Sequence, residues 1–190
     1  MNTIRTFIAV DVGDAVRRRA ADLVERLRVG GGDVKWVDPH NMHLTLKFLG
    51  DVPDPQTADI CRAVAEAAGK SPMFEIGLRG AGAFPHAGRP RTVWMGVDRG
   101  ADLLASLHTA IEKALAKLGF RKEARRFHPH LTLGRVRRGG SAQRDLGRLI
   151  NDNGQFDGGV ANINEVLVFA SFLDKEGPTY NVLGRARLGR

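Results

Sequence analysis

The chain has 190 residues, 43% of them hydrophobic and 26% charged, a composition ordinary for a soluble globular protein able to bury a real core. Its formal charge of +8 favours a polyanionic partner, most simply nucleic acid, although a solvated basic surface gives the same number. The single cysteine, Cys61, excludes an internal disulfide, and the apolar run Phe7 to Val10 is too short for a signal peptide or a membrane span, so a cytoplasmic location is expected.

In chain order, Arg5 to Val12 is a short apolar, β-rich run and reads as a buried strand. Asp14 is placed to cap a helix with Val16, Ala20, Leu23, Val24 and Leu27 at helical spacing, which Gly30-Gly31-Gly32 ends. Lys35 to Val37 suits a short strand or edge before the Asp38-Pro39 turn. His43 to Leu49 alternates in the β manner, Asp51 to Pro55 is expected to break that strand, and an alanine-rich helix follows from about Gln56 to Ala68. Cys61 lies in it as a small core residue. Phe74 to Leu78 opens another strand, and the Gly/Pro-rich stretch Gly80 to Pro90 is expected to be a loop. Thr92 to Val97 is a strand, Ala101 to Leu118 a helix closed by Gly119, and Phe127 to Leu133 a strand. Arg135 to Gly140 reads as a basic turn, Ala142 to Ile150 as weakly helical, Val160 to Phe172 as the strongest remaining strand, and Tyr180 to Leu188 as a final one.

The tetrapeptide His-Leu-Thr-Leu occurs twice, as His43 to Leu46 and His130 to Leu133, 87 positions apart. Val10-Asp11 recurs as Val97-Asp98 at the same offset, which points to a duplicated β-α-β-α-β unit. The expected fold is α+β: one domain of two similar lobes, with motif-bearing halves of about 1–90 and 91–190, each a sheet covered by helices, around a central cleft. On a strand, alternate side chains share a face, so each copy presents an imidazole beside a hydroxyl and presses two leucines into the core. Two histidines facing one another can divide acid–base work on a phosphate, one neutral and taking a proton, the other protonated and giving one. Thr45 and Thr132 offer hydroxyl donors to phosphate oxygens. Arg135 is taken to share the face of His130 and Thr132 as a charged donor, whereas Lys47 is expected to fit the cleft less well. On composition and spacing alone, the roles of the two histidines are interchangeable.

With its flanks the sequence resembles the 2H phosphoesterase superfamily, and within it the bacterial and archaeal RNA 2′,3′-cyclic phosphodiesterases, formerly called 2′-5′ RNA ligases. The resemblance runs through RTFIAVDV at 5–12, KWVDPHNMHLTLKFLGDV at 35–52, GAGAFPHAGRPRTVWMGV at 80–97, RRFHPHLTLGRV at 125–136, EVLVFAS at 165–171 and PTYNVL at 178–183. It implies a pseudo-symmetric bilobal fold in which His43 is the general acid for the leaving 3′-oxygen and His130 the general base for water, leaving a 2′-phosphomonoester. It further implies that Thr45, Thr132 and Arg135 bind the phosphate and that no metal or organic cofactor is required. The implied partner is RNA ending in a 2′,3′-cyclic phosphate, or a small cyclic nucleotide. A 2′-5′ linkage forms if a 5′-hydroxyl replaces water. His128 stands where the family is expected to vary.

Other residues carry weaker signals. Phe48 and Phe127 neighbour the motifs and could stack a base, but their strand parity is opposite to the histidines and favours the core. Trp36 and Trp94 read as core or rim aromatics. Arg125, Arg126, Arg137 and Arg138 could guide an RNA backbone, while Arg17, Arg18 and Arg19 suit a solvated helix face. His86 and His108 have no constellation around them. Two rival functions stay open. His40, His43, His128 and His130 could ligate Zn²⁺ in a metal-dependent phosphoesterase, which metal analysis would reveal. A non-catalytic RNA-binding module would explain the charge but not the twin tetrapeptides. A monomer is the default.

Overall fold

The computed structural model describes residues 2–138, 142–173 and 177–189. Nine strands and four helices are described, in the order β1 (Thr3–Val10), α1 (Gly13–Arg28), β2 (Asp33–Trp36), β3 (Leu44–Pro53), α2 (Thr57–Ala68), β4 (Phe74–Phe84), β5 (Thr92–Val97), α3 (Ala101–Ala116), β6 (His130–Arg138), α4 (Ala142–Asp152), β7 (Asp157–Ile163), β8 (Glu165–Leu173) and β9 (Pro178–Arg187). They form two sheets, one ordered β3-β1-β8-β9 and the other β2-β6-β5-β4-β7, in which every pairing is antiparallel. Helix α2 packs on β8 and β9 of the first sheet and against α3, while α1 packs on β7 of the second and against α4. The layout is α+β, as expected. Each sheet draws strands from early and late in the chain, so neither coincides with one half of the sequence.

The core is one continuous cluster in which the periodic residues of α1, namely Val16, Ala20, Leu23, Val24 and Leu27, meet the leucines of both tetrapeptides. Leu44, Leu46, Leu131 and Leu133 are all buried, so the motif strands are fixed from behind by the apolar half of their own sequence.

Several boundaries differ from the sequence reading. Val12, not Asp14, occupies the position before α1 and makes no side-chain cap; Asp14 lies in the first turn and accepts from Arg17 at 3.1 Å. Strand β3 continues through Asp51 to Pro53 because Thr3 to Arg5 of β1 pair with that stretch. Strand β4 likewise runs on through Gly80 to Phe84. A Cβ on Gly82 would overlap the Trp94 indole, so the residue that reads as a loop signal makes room for a neighbouring ring inside a sheet. Residues Arg135 to Arg138 are strand, paired with β2, rather than the start of a turn; Gly139 and Gly140 lie outside the described residues. The run from Val160 to Phe172 is two strands divided at Asn164, where the chain passes from the second sheet to the first.

Candidate active site

The two tetrapeptides lie on strands that approach each other, with Cα atoms of β3 and β6 within 8 Å. The segment leading into the first motif is also tied to the second strand, since Val37 N–H donates to Leu133 O at 2.8 Å.

Both copies carry the same backbone irregularity. Ile8 and Ala9 pair with Lys47 and Thr45, leaving Leu46 without a partner; Val93 and Trp94 pair with Gly134 and Thr132, leaving Leu133 without one. Each motif strand thus has a bulge at its last leucine, and a bulge reverses the alternation of every residue after it. Strict alternation puts Lys47 with His43, and sets Phe48 and Arg135 opposite the histidines. The bulges invert this. Lys47 turns inward and is 5% exposed, while Phe48, the counterpart of Arg135 in the repeat, turns outward and is 63% exposed. Arg135 therefore reaches the face of His130 and Thr132 through the bulge rather than by simple parity, and the expectation of a core Phe48 is corrected for the same reason.

The partner strand does not keep the offset of the motifs. Ala9 lies across from Thr45 and Trp94 across from Thr132, so β5 is displaced by two residues relative to the motif repeat. Val10-Asp11 and Val97-Asp98 are accordingly similar in sequence without occupying equivalent places.

Each imidazole is held in the same way. His43 Nδ1 lies 2.7 Å from Asn41 O, and His130 Nδ1 lies 2.6 Å from His128 O, in both cases the carbonyl two residues upstream. A carbonyl only accepts, so each neutral ring carries its proton on Nδ1 and leaves the Nε2 lone pair unused. Aromatic rings fix the orientation. Phe7 stacks on His43 at 4.8 Å, Tyr180 meets it edge-on at 5.3 Å, and Phe169 lies 5.9 Å away. Around His130 the neighbours are Phe84, edge-on at 5.0 Å, and Trp94 at 6.3 Å.

Burial behind these rings disfavours charge. It lowers the His43 pKa to about 4, against the pull of the Asn41 carbonyl, with Arg17 lowering it further and Asp11 raising it. His130 is lowered by burial too, with the His128 carbonyl opposing and the His128 and Arg135 charges reinforcing. Arg135 also acts on Tyr180, whose hydroxyl burial pushes up and the guanidinium pulls down. One arginine is thereby felt both by His130 and by the ring that abuts His43, which links the surroundings of the two motifs electrostatically.

Beside His43 is a hollow of about 230 Å³ lined by Asp11, Arg17, Phe169, Tyr180 and Arg185, among others. Arg17 belongs to this hollow, with its side chain 20% exposed and ion-paired to Asp11. Helical periodicity sets it on a solvated face, where Arg18 and Arg19 indeed lie. Its signal in the sequence is the nearby Asp11, which can reach it only because the chain turns sharply between β1 and α1. His108 also has company. It stacks on Phe127 at 4.2 Å and lies 3.8 Å from Glu112, which makes Phe127 the packing residue its parity suggests. Arg125, Arg126, Arg137 and Arg138 flank the second motif, and all four are exposed to solvent. For the metal reading, His40 is exposed in a short turn, and among the described residues no three or more His, Cys, Asp or Glu side chains are grouped to hold a metal ion. Among the described residues no helix is long and apolar enough to cross a membrane.

Residues 14–158 match the 2′-5′ RNA ligase superfamily. A protein of Aeropyrum pernix named RNA 2′,3′-cyclic phosphodiesterase is 36% identical over 165 residues, covering 87% of this chain and 92% of its own. One of the same name from Aquifex aeolicus is 30% identical over 192 residues, covering both chains in full. A crystal structure from Thermus thermophilus aligns with a TM-score of 0.82 at 26% identity, covering 98% of this chain and 99% of that one. The fold is also that of E. coli LigT complexed with 3′-AMP, with a TM-score of 0.77 at 23% identity and both chains covered in full.

Proposed function

The chain belongs to the 2′-5′ RNA ligase superfamily, and from that premise we propose that it is an RNA 2′,3′-cyclic phosphodiesterase working through His43 and His130 without a metal. The observation that carries the proposal is the matched pair of Nδ1–H to carbonyl bonds, which gives both imidazoles the same tautomer and reserves both Nε2 atoms for chemistry. A tautomer fixed in this way is what a histidine needs to serve as acid or base through one defined atom.

In the proposed reaction, His130 Nε2 takes a proton from water as the oxygen attacks phosphorus. The bond from phosphorus to the 3′-oxygen breaks, His43 Nε2–H protonates that oxygen, and a 2′-phosphomonoester remains. Thr45 and Thr132 donate to the non-bridging oxygens, and Arg135 offsets the growing negative charge. Two features support this division of labour. Water attacks opposite the leaving oxygen, so the nucleoside lies on the acid's side, where Phe169 and Tyr180 line the hollow beside His43 and the exposed Phe48 ring lies near Phe7. The side of His130 carries Arg135. In the free protein, burial keeps His43 neutral near pH 7; docking of the phosphodiester anion favours the imidazolium and charges the acid when substrate is present. A 5′-hydroxyl in place of water would give a 2′-5′ linkage by the same transfers.

The test is turnover of an oligonucleotide ending in a 2′,3′-cyclic phosphate, with 2′- and 3′-phosphate products resolved. A 2′-phosphate is expected, with rates falling by about 10²- to 10⁴-fold in His43→Ala and in His130→Ala. Binding without turnover would support an RNA-binding module instead, and a near-wild-type rate in either variant would overturn the two-histidine mechanism.

A further inference from the structure

The charged pair behind the first motif has no part in the chemistry above. Lys47 and Glu112 are ion-paired with side chains 5% and 7% exposed, so both charges are out of water. Such a pair is costly to bury, and apolar residues of the same size are often at least as stabilising. Duplication does not account for it, because the counterpart of Lys47 in the second motif is Gly134, where even a Cβ would lie 2.7 Å from the Trp36 ring.

The pair spends its remaining hydrogen bonds on a single segment. Lys47 Nζ donates to Arg121 O at 2.9 Å, and Glu112 Oε2 accepts from Glu123 N–H at 3.1 Å. Residues 121–129 lie in the connection from α3 to β6 outside any helix or strand, so no backbone ladder fixes them. One turn earlier on α3, His108 stacks flat on Phe127 of the same segment. Helix α3 thus grips the segment at two points. The next residue after Phe127 is His128, whose carbonyl sets the tautomer and orientation of His130.

We infer that Lys47 and Glu112 are positioning residues for His130: together they fix the approach to the second motif and hold the His128 carbonyl where His130 Nδ1–H can reach it. Lys47 lies on β3, one residue beyond the first tetrapeptide, so the strand of one motif helps place the histidine of the other. The inference gives Lys47 and Glu112 a role within the two-histidine reading and rests on it, but its primary readout does not require turnover.

The experiment compares wild-type protein with Lys47→Met/Glu112→Leu, which removes both charges while keeping their bulk, and with Glu112→Gln. The glutamine variant keeps an oxygen for Lys47 but turns an amide donor towards Glu123 N–H. Imidazole ¹⁵N NMR of His130 reads its tautomer directly. The wild type is expected to show Nδ1–H, and the folded variants a mixture with Nε2–H while His43 stays unchanged. On the cyclic-phosphate oligonucleotide, kcat is expected to fall roughly tenfold or more in the double variant, with KM changed by less than about threefold. A folded variant that keeps the wild-type His130 tautomer and kcat would overturn the inference and leave the pair a stabilising role only. Should the double variant fail to fold, Glu112→Gln decides by the same two readouts. If the wild type itself does not turn over the substrate, the function proposed above fails, while the NMR comparison still tests the positioning.

Discussion

Acidification offers a quantitative test of how His43 is enclosed. Its ring is packed against Phe7, Phe169 and Tyr180, and burial lowers its pKa from 6.5 to about 4. The unfolded chain takes up this proton near 6.5. As pH falls below that value the unfolded state binds more protons than the folded one, so stability declines until the folded protein is protonated near pH 4. The contribution is complete above pH 6.5 and gone below about pH 4. At about 1.36 kcal/mol per pH unit the interval is worth roughly 3 kcal/mol in full, and about 2.5 kcal/mol between pH 7 and pH 4.5. For a chain of this size that corresponds to a fall in Tm of roughly 5–10 °C. Burial lowers His108 and His130 in the same direction, so the measurement must be differential. His43→Asn is a suitable reference, because its amide can still donate to Asn41 O but does not titrate. Unfolding of both proteins at pH 7 and pH 4.5 should show the wild type losing about 2.5 kcal/mol more than the variant. A difference below about 0.5 kcal/mol would mean that His43 is hydrated and that the packing argument for it is wrong.

Two further substitutions probe the walls of the site. Gly82→Ala drives a methyl group into the Trp94 indole, which lies 5.1 Å from His128 and 6.3 Å from His130; a loss of about 1–3 kcal/mol in denaturant unfolding is expected, with a shift in tryptophan fluorescence and a lower kcat. Phe48→Ala removes an exposed ring and should alter stability by less than about 0.5 kcal/mol. If Phe48 stacks a terminal base, KM for the oligonucleotide should rise about tenfold with kcat unchanged, whereas a cyclic phosphodiester lacking a base should be unaffected.

Much of the layout is legible in the sequence because it follows from short-range pattern. The helical spacing of Val16, Ala20, Leu23, Val24 and Leu27 and the leucines of the tetrapeptides announce their buried faces directly. The misreadings share a physical origin, since each depends on a partner remote in sequence. Phe48 turns outward because of a bulge, and a bulge exists only in relation to the strand alongside. Lys47 is set apart from the cleft in the sequence, but its burial is not legible there, because Glu112, which neutralises it in the interior, is carried on α3. The Gly80 to Phe84 stretch looks like a loop because nothing local reveals that Trp94 fills the space above Gly82. Arg17 sits at a polar position of its helix, yet an aspartate before that helix draws it into the hollow beside His43.

The interleaving of the sheets has a consequence for biosynthesis. β1 lies between β3 and β8, so it can join β3 soon after both leave the ribosome, but its opposite edge stays bare until translation is nearly over. Phe169 and Tyr180, which close around His43, belong to that late-emerging stretch. Of the two motif histidines, the one synthesised first is therefore the last to acquire its walls. A nascent chain can carry both motifs and still have only one of them enclosed.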